Sequence, residues 1–343
     1  MTLTERINAF IQLGERILKD ITEDTLFNRT LNNAFTHNQW FTPEYCQYAI
    51  ASIAKQWLTT KALQNWIKSY PNDKFNTTNP KRVAVIMAGN VPFVGFHDML
   101  CTLLLGHHFV GKSSSKDGGL MQAIVDLLIE IEPQFGYFIT LTNGKIDNFD
   151  AVIATGSDNS ARYFEYYFGK YPSIIRKNRH SLAVLSGTEC DEDLEALAND
   201  IFLYFGLGCR NVSKLLVPIN FNFTKLIEAF KEHNQIINHN KYANNYDYHR
   251  AIYLMNKVEH LDSGFFLIKP DEGIGSPVGV IFYQNYSSIE SANEYIALHT
   301  DMLQCIVSSI PSITNSIAFG KSQNPELTDY ADGIDTIKFL SSL

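Results

Sequence analysis

The sequence predicts an α/β protein in which two doubly wound α/β regions follow a helical N-terminal segment. The chain has 343 residues, of which 45% are hydrophobic and 13% aromatic, so it is long enough for about two domains with a sizeable core. The first 70 residues show helical periodicity. From Lys81 onward, short apolar runs alternate with helical patterns, which is typical of βαβ units and a parallel sheet.

The N-terminal segment contains two clear helix starts. Thr2 and Glu5 have the spacing of a capping box, and Thr42 followed by Pro43 starts a second helix with proline in its first turn. Apolar side chains recur at helical spacing over residues 46–58 of this second helix. We interpret this stripe as core packing rather than as part of a cofactor site.

The two α/β regions are predicted from alternating strand and helix patterns. In the first region the predicted strands are 82–88, 108–112, 137–141 and 151–154, and the predicted helices are 92–105, 118–131 and 158–168. In the second region the predicted strands are 181–185, 214–217, 265–268, 278–283 and 304–308, and the predicted helices are 191–205, 223–233, 242–255 and 289–299. The first region has the pattern of a doubly wound nucleotide-binding half.

Charge and local composition exclude several classes of protein. The 36 acidic and 28 basic side chains give a net charge of −8, so we expect no nucleic-acid partner. The weakly charged stretch 83–111 is interrupted by Asn90, Pro92 and several His and Asp residues, so we expect no stable membrane insertion. The N-terminus lacks the basic head and apolar core of a secretory signal.

Cysteine usage favours a reducing, cytoplasmic location. The cysteines are odd in number, widely scattered and never arranged as CxxC, so the sequence encodes neither a disulfide framework nor a zinc knuckle. They are Cys46, Cys101, Cys190, Cys209 and Cys305. Each is either core filler or a reactive thiol.

The most suggestive local feature is the turn Gly-Leu-Gly-Cys-Arg-Asn at residues 206–211. A nucleophilic thiol needs close approach by its substrate, and small neighbours with accessible backbone N–H groups allow that approach. Cys209 is therefore a candidate nucleophile, and the charge of Arg210 favours its thiolate. The alternative is a buried cysteine in a turn, which is the more frequent role for a free cysteine.

A polar segment closes the first predicted strand of the nucleotide-binding half. Ala88, Gly89 and Asn90 follow that strand, and Pro92 opens the next helical pattern. Ligands of such folds bind at the carboxyl edge of the sheet, where the Asn90 amide can donate to a developing oxyanion. Turn or capping chemistry is the alternative, and more frequent, role for this asparagine.

Two further strand ends carry groups suited to a nucleotide. Residues 112–116 read Lys-Ser-Ser-Ser-Lys, which offers charge and hydroxyls to a ribose or phosphate, or forms a solvated loop. Thr155, Gly156 and Ser157 end a strand and begin a helix whose N–H groups can receive a pyrophosphate, and capping by Ser157 is compatible with that role. No complete GxGxxG or P-loop fingerprint occurs in the sequence.

Histidines near the first sheet lack metal-binding spacing. His97-Asp98 and His107-His108 are not part of an HExxH or comparable pattern, so we expect no metal site. His180, next to the first strand of the second region, is an open candidate for a proton donor.

Taken in order, these segments resemble the aldehyde dehydrogenase superfamily, and specifically the acyl-CoA reductases of the LuxC type. Asn90-Val91-Pro92 resembles the family's Asn-x-Pro segment, and residues 110–113 resemble its strand-ending lysine. Residues 154–157 resemble its phosphate-side Thr-Gly-Ser, and Gly208-Cys209 resembles its Gly-x-Cys region. The four motifs follow the family's order over residues 83–217, so the set is more specific than any one motif.

The resemblance implies an aldehyde dehydrogenase-like fold with three parts. Residues 1–185 would form the helical N-terminal segment and a Rossmann-like cofactor-binding domain, and residues 186–310 a catalytic domain carrying Cys209. Residues 311–343 would return to the cofactor domain.

The resemblance also implies a reaction. Cys209 attacks the thioester of a fatty acyl-CoA, expels CoA and forms a thioacyl enzyme, from which hydride transfer releases an aldehyde. Asn90 and the backbone N–H of Cys209 are implied as the oxyanion hole. The residues implied as cofactor contacts are Ala88, Gly89, Lys112, Ser115, Thr155, Gly156 and Ser157.

Three departures from the family pattern refine this interpretation. The strand at 181–185 lacks the glutamate that activates a hydrolytic water in oxidative members, which disfavours hydrolysis of the thioacyl enzyme. Ser115 stands where NAD-specific members often have an acidic residue, which favours NADPH while leaving NADH open. The chain is short for the superfamily and shows no counterpart of the usual oligomerising hairpin, so a homodimer is left open.

Two other functions remain open on sequence grounds. One is a different reaction at the same cysteine, either oxidative aldehyde dehydrogenation or reduction of an acyl phosphate. The other is a noncatalytic subunit that binds an acyl chain or a nucleotide, which ligand-induced stabilisation without turnover would indicate.

Overall fold

The computed structural model describes the backbone of residues 1–343 and every side chain except that of Asp158. The chain divides into two compact units, one formed by Met1–Asn178 with Glu326–Leu343 and the other by Arg179–Pro325. The family resemblance implied domain boundaries after residues 185 and 310 instead. The strand at residues 180–184 pairs within the sheet of the second unit, so the first boundary lies ahead of that strand.

The first unit begins with four helices. They are α1 (Leu3–Asp20), α2 (Leu26–His37), α3 (Pro43–Gln56) and α4 (Thr60–Lys68). The capping box at Thr2 and Glu5 is confirmed, as is the start of α3 at Pro43 with Thr42 as its cap. The apolar stripe of α3 is buried, which confirms its interpretation as core.

A five-stranded parallel sheet forms the centre of the first unit. Its strands are β1 (Arg82–Ile86), β2 (His108–Lys112), β3 (Ile139–Thr142), β4 (Ala151–Thr155) and β5 (Ser173–Arg176). The connecting helices are α5 (Phe96–Leu104), α6 (Leu120–Ile131) and α7 (Asp158–Phe168). The strand order β3-β2-β1-β4-β5 is that of a doubly wound nucleotide-binding half, as predicted, although β5 was not predicted.

The segment between β1 and α5 differs from the prediction of a helix starting at residue 92. The helix begins only at Phe96, because Phe93 has a φ of 60° that an α-helix does not allow. Gly95 lies so close to Met87 that a Cβ would fall 2.0 Å from the Met87 sulfur. The strand-to-helix turn is therefore longer than predicted and packs tightly on its own strand.

The second unit contains a seven-stranded sheet. Its strands are β6 (His180–Val184), β7 (Val212–Pro218), β8 (Leu261–Asp262), β9 (Leu267–Pro270), β10 (Val280–Tyr286), β11 (Leu303–Val307) and β12 (Ser316–Ile317). Its helices are α8 (Asp191–Phe202), α9 (Phe223–Ala229), α10 (Asn240–Met255) and α11 (Ile289–Leu298). The order is β12-β11-β6-β7-β10-β9-β8, and every paired neighbour is parallel except β8 with β9.

Both faces of the second sheet are covered. Along β6, Leu182 and Val184 pack into a cluster that includes Ala292 of α11, whereas Ala183 packs into a cluster that includes Leu197 of α8. Successive side chains of a strand point to opposite faces, so this apolar run buries both faces of the strand.

The last residues of the chain return to the first unit. They include the short helix α12 (Thr336–Leu340). The Tyr330 hydroxyl accepts a hydrogen bond from Trp66 Nε1 at 2.9 Å and lies 2.6 Å from the Tyr70 hydroxyl, which also donates to Asp335 at 2.9 Å. A ring nitrogen of His107 lies 3.1 Å from the carbonyl oxygen of Leu340. The tail therefore completes a polar network of the first unit.

Within the described part of the chain, no helix is both long enough and apolar enough to cross a lipid bilayer.

Candidate active site

Three strand ends of the first unit meet at one edge of its sheet. β1 pairs with β2 and with β4 in parallel, and Ile86 is in register with both Lys112 and Ala154. The segments that follow these strands therefore lie side by side at the carboxyl edge. All the cofactor-side residues implied by the family resemblance lie at the ends of these strands or in the segments that follow them.

The segment after β1 packs closely on the segment after β2. A Cβ on Gly89 would lie 2.3 Å from the Ser114 hydroxyl oxygen and 3.2 Å from the Cβ of Lys116, so only glycine allows this approach. The Asn38 side chain donates to the carbonyl oxygen of Gly89 at 3.2 Å and fixes the turn. Asn90 is exposed immediately beyond it.

The segment after β2 is polar and open to solvent. Lys112 is half-buried at the end of the strand, and its carbonyl accepts from the backbone N–H of Met87 at 3.1 Å. Ser115 and Lys116 are exposed, and the N–H of Lys116 donates to the Ser114 hydroxyl at 3.2 Å. The edge thus presents ammonium and hydroxyl groups suited to an anionic ligand.

The segment after β4 forms the start of α7. Ser157 is the N-cap, and its hydroxyl accepts from the N–H of Ser160 at 3.3 Å, which confirms the capping role. A Cβ on Gly156 would lie 2.8 Å from the Cβ of Ser160 and 2.9 Å from the ring of Phe164, so the backbone packs tightly on its own helix. Contact of this helix start with a phosphate stays a prediction.

Cys209 lies in the second unit and differs from the buried cysteines. Its side chain is exposed, so the alternative of a buried core thiol is wrong. Burial raises the pKa of Cys46 to about 12 and that of Cys305 to about 11, and it raises the pKa of Cys101 well above the usual range. Cys190 is also exposed, directly before α8. Cys209 and Cys190 are therefore the thiols that a reagent in solution reaches first.

A buried amide holds the turn that carries Cys209. The Asn211 side-chain oxygen accepts from the N–H of Gly208 at 2.8 Å. Its side-chain nitrogen donates to the carbonyls of Asp200, Ile201 and Leu203 at 3.1, 3.3 and 2.8 Å. Asn211 is only 2% exposed, so water does not compete for these bonds. One side chain thus fixes the end of α8 and the turn before β7.

The backbone ahead of Cys209 is strained. Tyr204, Phe205 and Gly206 have φ values of 53°, 59° and 74°, which end the helix predicted to run to residue 205. Left-handed conformation costs a residue with a side chain about 1–2 kcal/mol. The ring of Phe205 is buried with its centroid 4.2 Å from that of His239, and this packing holds the strained turn in place.

Neighbouring polar groups support the same turn. The Ser181 hydroxyl donates to the carbonyl oxygen of Cys209 at 2.9 Å and lies 2.9 Å from the thiol of Cys305. Nε of Arg210 donates to the carbonyl of Ser322 at 2.5 Å. The buried Asp200 carboxylate accepts from the N–H of Ser322 at 2.9 Å. The favourable effect of Arg210 on a Cys209 thiolate stays a prediction.

The strand that precedes the Cys209 turn carries no carboxylate at its end. β6 spans His180–Val184, and the next carboxylate along the chain is that of Glu189. Glu189 is buried, and its oxygens accept from the N–H groups of Ser186 and Gly187 at 2.5 and 3.0 Å and from the Ser186 hydroxyl at 2.7 Å. The Glu189 carboxylate is therefore occupied by hydrogen bonds within the turn 186–189. The ring of His180 packs against Gly275, where a Cβ would fall 2.3 Å from it.

Sequence patterns missed the residues that hold Cys209. Asn211 was noted only as part of the glycine-rich turn, and Ser181 and Asp200 only as parts of a strand and a helix. Each acts through a contact that depends on how the unit folds. An asparagine two positions after the cysteine was the one local signal. Among the side chains that the structure describes, no group of three or more His, Cys, Asp or Glu is arranged to hold a metal ion.

A family model and a curated protein that resemble this chain both describe acyl reductases. The model of a family described as acyl-CoA reductase (LuxC) matches residues 12–224, which is more than half of the chain. The long-chain acyl-protein thioester reductase of Aliivibrio fischeri is 24% identical over 234 residues, covering 61% of this chain and 47% of that protein. The chain thus spans about half the length of this curated relative.

Solved structures of aldehyde dehydrogenases resemble the fold of this chain. Aldehyde dehydrogenase 21 from Physcomitrella patens matches with a TM-score of 0.71 at 13% identity, covering 100% of this chain and 84% of that one. The AldA indole-3-acetaldehyde dehydrogenase of P. syringae matches with a TM-score of 0.64 at 15% identity, covering 92% and 74%. The aldehyde dehydrogenase-like fold is therefore confirmed.

Proposed function

This chain belongs to the LuxC family of acyl-CoA reductases, and on that premise we propose that it reduces a fatty acyl-CoA thioester to the aldehyde through a thioacyl group on Cys209. The second unit, which carries Cys209, would be the catalytic one. The first unit, with its nucleotide-binding strand order, would hold the dinucleotide.

The observation that carries the proposal is an exposed thiol on a rigidly held turn. Cys209 is exposed, whereas the amide of Asn211 and the hydroxyl of Ser181 fix the backbone on either side of it. A nucleophile gains from such preorganisation because little reorganisation remains at the moment of attack.

The acylation step needs only a thiolate and a place for the oxyanion. The Cys209 sulfur forms a bond to the thioester carbonyl carbon, and the carbonyl oxygen takes up the negative charge. Collapse of this intermediate breaks the bond to the CoA sulfur, which leaves as a thiolate and takes up a proton. The Asn90 amide and the Cys209 N–H are proposed as the donors to the oxyanion, a role worth about 3 kcal/mol per donor in comparable sites.

The fate of the thioacyl group follows from the surrounding carboxylates. The base that activates water in oxidative members of the superfamily is a carboxylate. β6 carries no carboxylate, and the oxygens of Glu189 accept hydrogen bonds within the turn 186–189. Exchange with a thiol needs no such base. These features favour reduction over oxidative release of a carboxylic acid.

The carboxyl edge of the first sheet fits a dinucleotide. Lys112, Ser115 and Lys116 supply charge and hydroxyls there, and the start of α7 supplies backbone N–H groups. When bound, the reduced nicotinamide supplies the hydride that turns the acyl carbon into an aldehyde carbon. NADPH is proposed because the Ser115 side chain does not repel a 2′-phosphate. The P. syringae relative was solved with NAD+, so NADH is the alternative.

A protein-bound thioester is the second candidate substrate. It is favoured by the name of the Aliivibrio fischeri relative, an acyl-protein thioester reductase. The chemistry at Cys209 is identical for both donors, because each presents an acyl group on a sulfur. The two differ only in what the leaving thiol is attached to.

Intact mass spectrometry tests the proposal. We would incubate the wild type, Cys209→Ser and the matched exposed-thiol variant Cys190→Ser with palmitoyl-CoA, with and without NADPH, and measure aldehyde in parallel. The wild type and Cys190→Ser are expected to gain the acyl mass and to lose it on addition of NADPH as aldehyde appears. Cys209→Ser is expected to gain no acyl mass.

Other outcomes separate the alternatives. Acylation from a palmitoyl-protein thioester but not from palmitoyl-CoA would move the substrate to the protein-bound class. Release of palmitate instead of aldehyde would favour the oxidative reaction. Absence of acylation across several chain lengths, or equal acylation of Cys209→Ser, would overturn the thioacyl mechanism.

A further inference from the structure

A cavity of about 430 Å³ lies at the amino edge of the first sheet. It is lined by residues that precede β1, β2 and β3, including Phe75, Gly106 and Phe138, together with Leu103 of α5. Asn90 follows β1, and Lys112 and Thr155 end β2 and β4, all at the carboxyl edge. The cavity is thus at the other end of the strands from those residues, and its volume is in the range of small-molecule sites.

A buried arginine forms part of the cavity wall. Arg6 of α1 is only 6% exposed, and its guanidinium donates to the carbonyl oxygen of Phe75 at 2.9 Å. Nε of Arg6 is buried without a hydrogen-bond partner. Gly106 gives the guanidinium its room, since a Cβ there would fall 2.1 Å from Nη1 of Arg6.

The charge of Arg6 has no counter-ion in the described part of the chain. None of the ion pairs formed by described residues includes Arg6, and no carboxylate lines the cavity. Burial alone accounts for the lowered pKa of its guanidinium, with no carboxylate to offset it. A buried charge is ordinarily paired, because desolvation otherwise penalises it strongly.

The remaining lining of the cavity is largely aromatic and neutral. Phe75, Phe135 and Phe138 contribute rings, and the exposed Asn76 and Thr78 contribute an amide and a hydroxyl. His107 next to Arg6 adds no acid or second charge, because its Nδ1 accepts from the N–H of Lys81 at 3.1 Å and burial lowers the pKa of its ring. The site therefore combines the buried Arg6 guanidinium with apolar rings.

From this combination we propose that the cavity is a second ligand site, which binds a small carboxylate with an apolar body and uses Arg6 as its counter-ion. Guanidinium groups pair with carboxylates through strong, directional hydrogen bonds, and the aromatic rings bury the apolar body. The cavity is lined by residues of the first unit alone and Cys209 belongs to the second, so the inference does not rest on the proposed function.

Binding of octanoate tests the proposal, with octanamide and inorganic phosphate as matched probes. Octanamide keeps the apolar body without the charge, and phosphate keeps the charge without the body. By isothermal titration calorimetry, octanoate is expected to bind at least about tenfold more tightly than either probe, as expected for a hydrogen bond to a charged group. Hydrogen exchange is expected to slow in residues 3–6, 75–80 and 135–138.

Two variants show whether Arg6 is responsible. Arg6→Met is expected to abolish the preference for octanoate over octanamide and the protection of residues 75–80. Arg29→Met removes a charge from the exposed surface of α2 and is expected to leave both unchanged. If Arg6→Met does not fold, the comparison of the three probes on the wild type still decides the question.

Several results would overturn the proposal. Equal binding of octanoate and octanamide to the wild type would do so. So would octanoate-induced protection confined to the second unit, which would assign binding to the acyl site of the proposed reaction. An unchanged preference in a folded Arg6→Met would show that Arg6 only fills the space above Gly106.

Discussion

The strand ends of the first unit and the turn before β7 of the second unit are built in opposite ways. In the first unit, Ser115, Lys116 and Asn90 are exposed on segments that pack through glycines. In the second unit, the residues around Cys209 are fixed by a buried amide and by a left-handed backbone. The contrast teaches that the groups proposed to bind a ligand project into solvent from a backbone packed through glycines, whereas the turn of the proposed nucleophile is held by buried side chains away from the thiol.

The largest predicted effect is on kcat and comes from Asn90, on the segment after β1. Asn90→Ala is expected to lower kcat about 100- to 1000-fold with a small change in KM, because an oxyanion donor acts in the transition state. Since Asn90 is exposed, the free energy of unfolding should change by less than about 0.5 kcal/mol. Steady-state kinetics and urea unfolding check both parts. A KM effect alone would assign Asn90 to binding.

The second prediction concerns Asn211, which holds the turn that carries Cys209. Asn211→Ala leaves several buried backbone groups without partners, so we expect the free energy of unfolding to fall by about 3 kcal/mol. The folded variant should also be acylated more slowly at Cys209. Asn199→Ala, on the exposed face of α8, is the matched control and should change stability by less than about 0.5 kcal/mol. If Asn211→Ala had the same free energy of unfolding as the wild type, the turn around Cys209 would not depend on this amide, and the contrast between the two regions would fail.

The sequence predicted the doubly wound pattern of the first unit and singled out Cys209 as a candidate nucleophile, because both depend on local patterns. It did not predict β5 (Ser173–Arg176), which is short and lies between charged and turn-forming residues. The left-handed Tyr204 and Phe205 were also missed, since their side chains give no local sign of positive φ. The roles of Ser181 and Asn211 come from tertiary contacts that a linear pattern does not contain.

A charge change at the carboxyl edge of the first sheet should have a smaller effect, on the KM for the cofactor. Ser115→Glu is expected to raise the KM for NADPH about tenfold and to leave that for NADH within about twofold, through repulsion of the 2′-phosphate. Asn33→Glu adds the same charge on the exposed surface of α2 and should leave both constants unchanged. Equal loss of both cofactors would contradict contact with the ribose at residue 115.

The last prediction concerns pH and the strand after the Cys209 turn. Burial lowers the pKa of Lys214 on β7 from 10.5 to about 8, although its ammonium donates to the carbonyls of Asp271 and Gly273 and to Gln284. Between pH 8 and pH 10.5 the unfolded chain therefore binds the proton more tightly than the folded one, so stability should rise with pH in this window.

Urea unfolding at pH 7 to 10 measures this effect as the difference between the wild type and Lys214→Met. The wild type should gain stability relative to Lys214→Met above pH 8. A constant difference across the range would show that Lys214 keeps its proton in the folded protein.

The return of residues 326–343 to the first unit has a consequence for how the protein is made. Tyr330 and Asp335 complete a hydrogen-bond network with Trp66 and Tyr70, from which they are separated by the entire second unit. During translation the ribosome delivers residues 179–325 before this partner segment exists. The second unit can thus fold as a continuous piece while the first still awaits its last helix. On a ribosome stalled before residue 326, the first unit would still be incomplete, although its residues 1–178 were translated first.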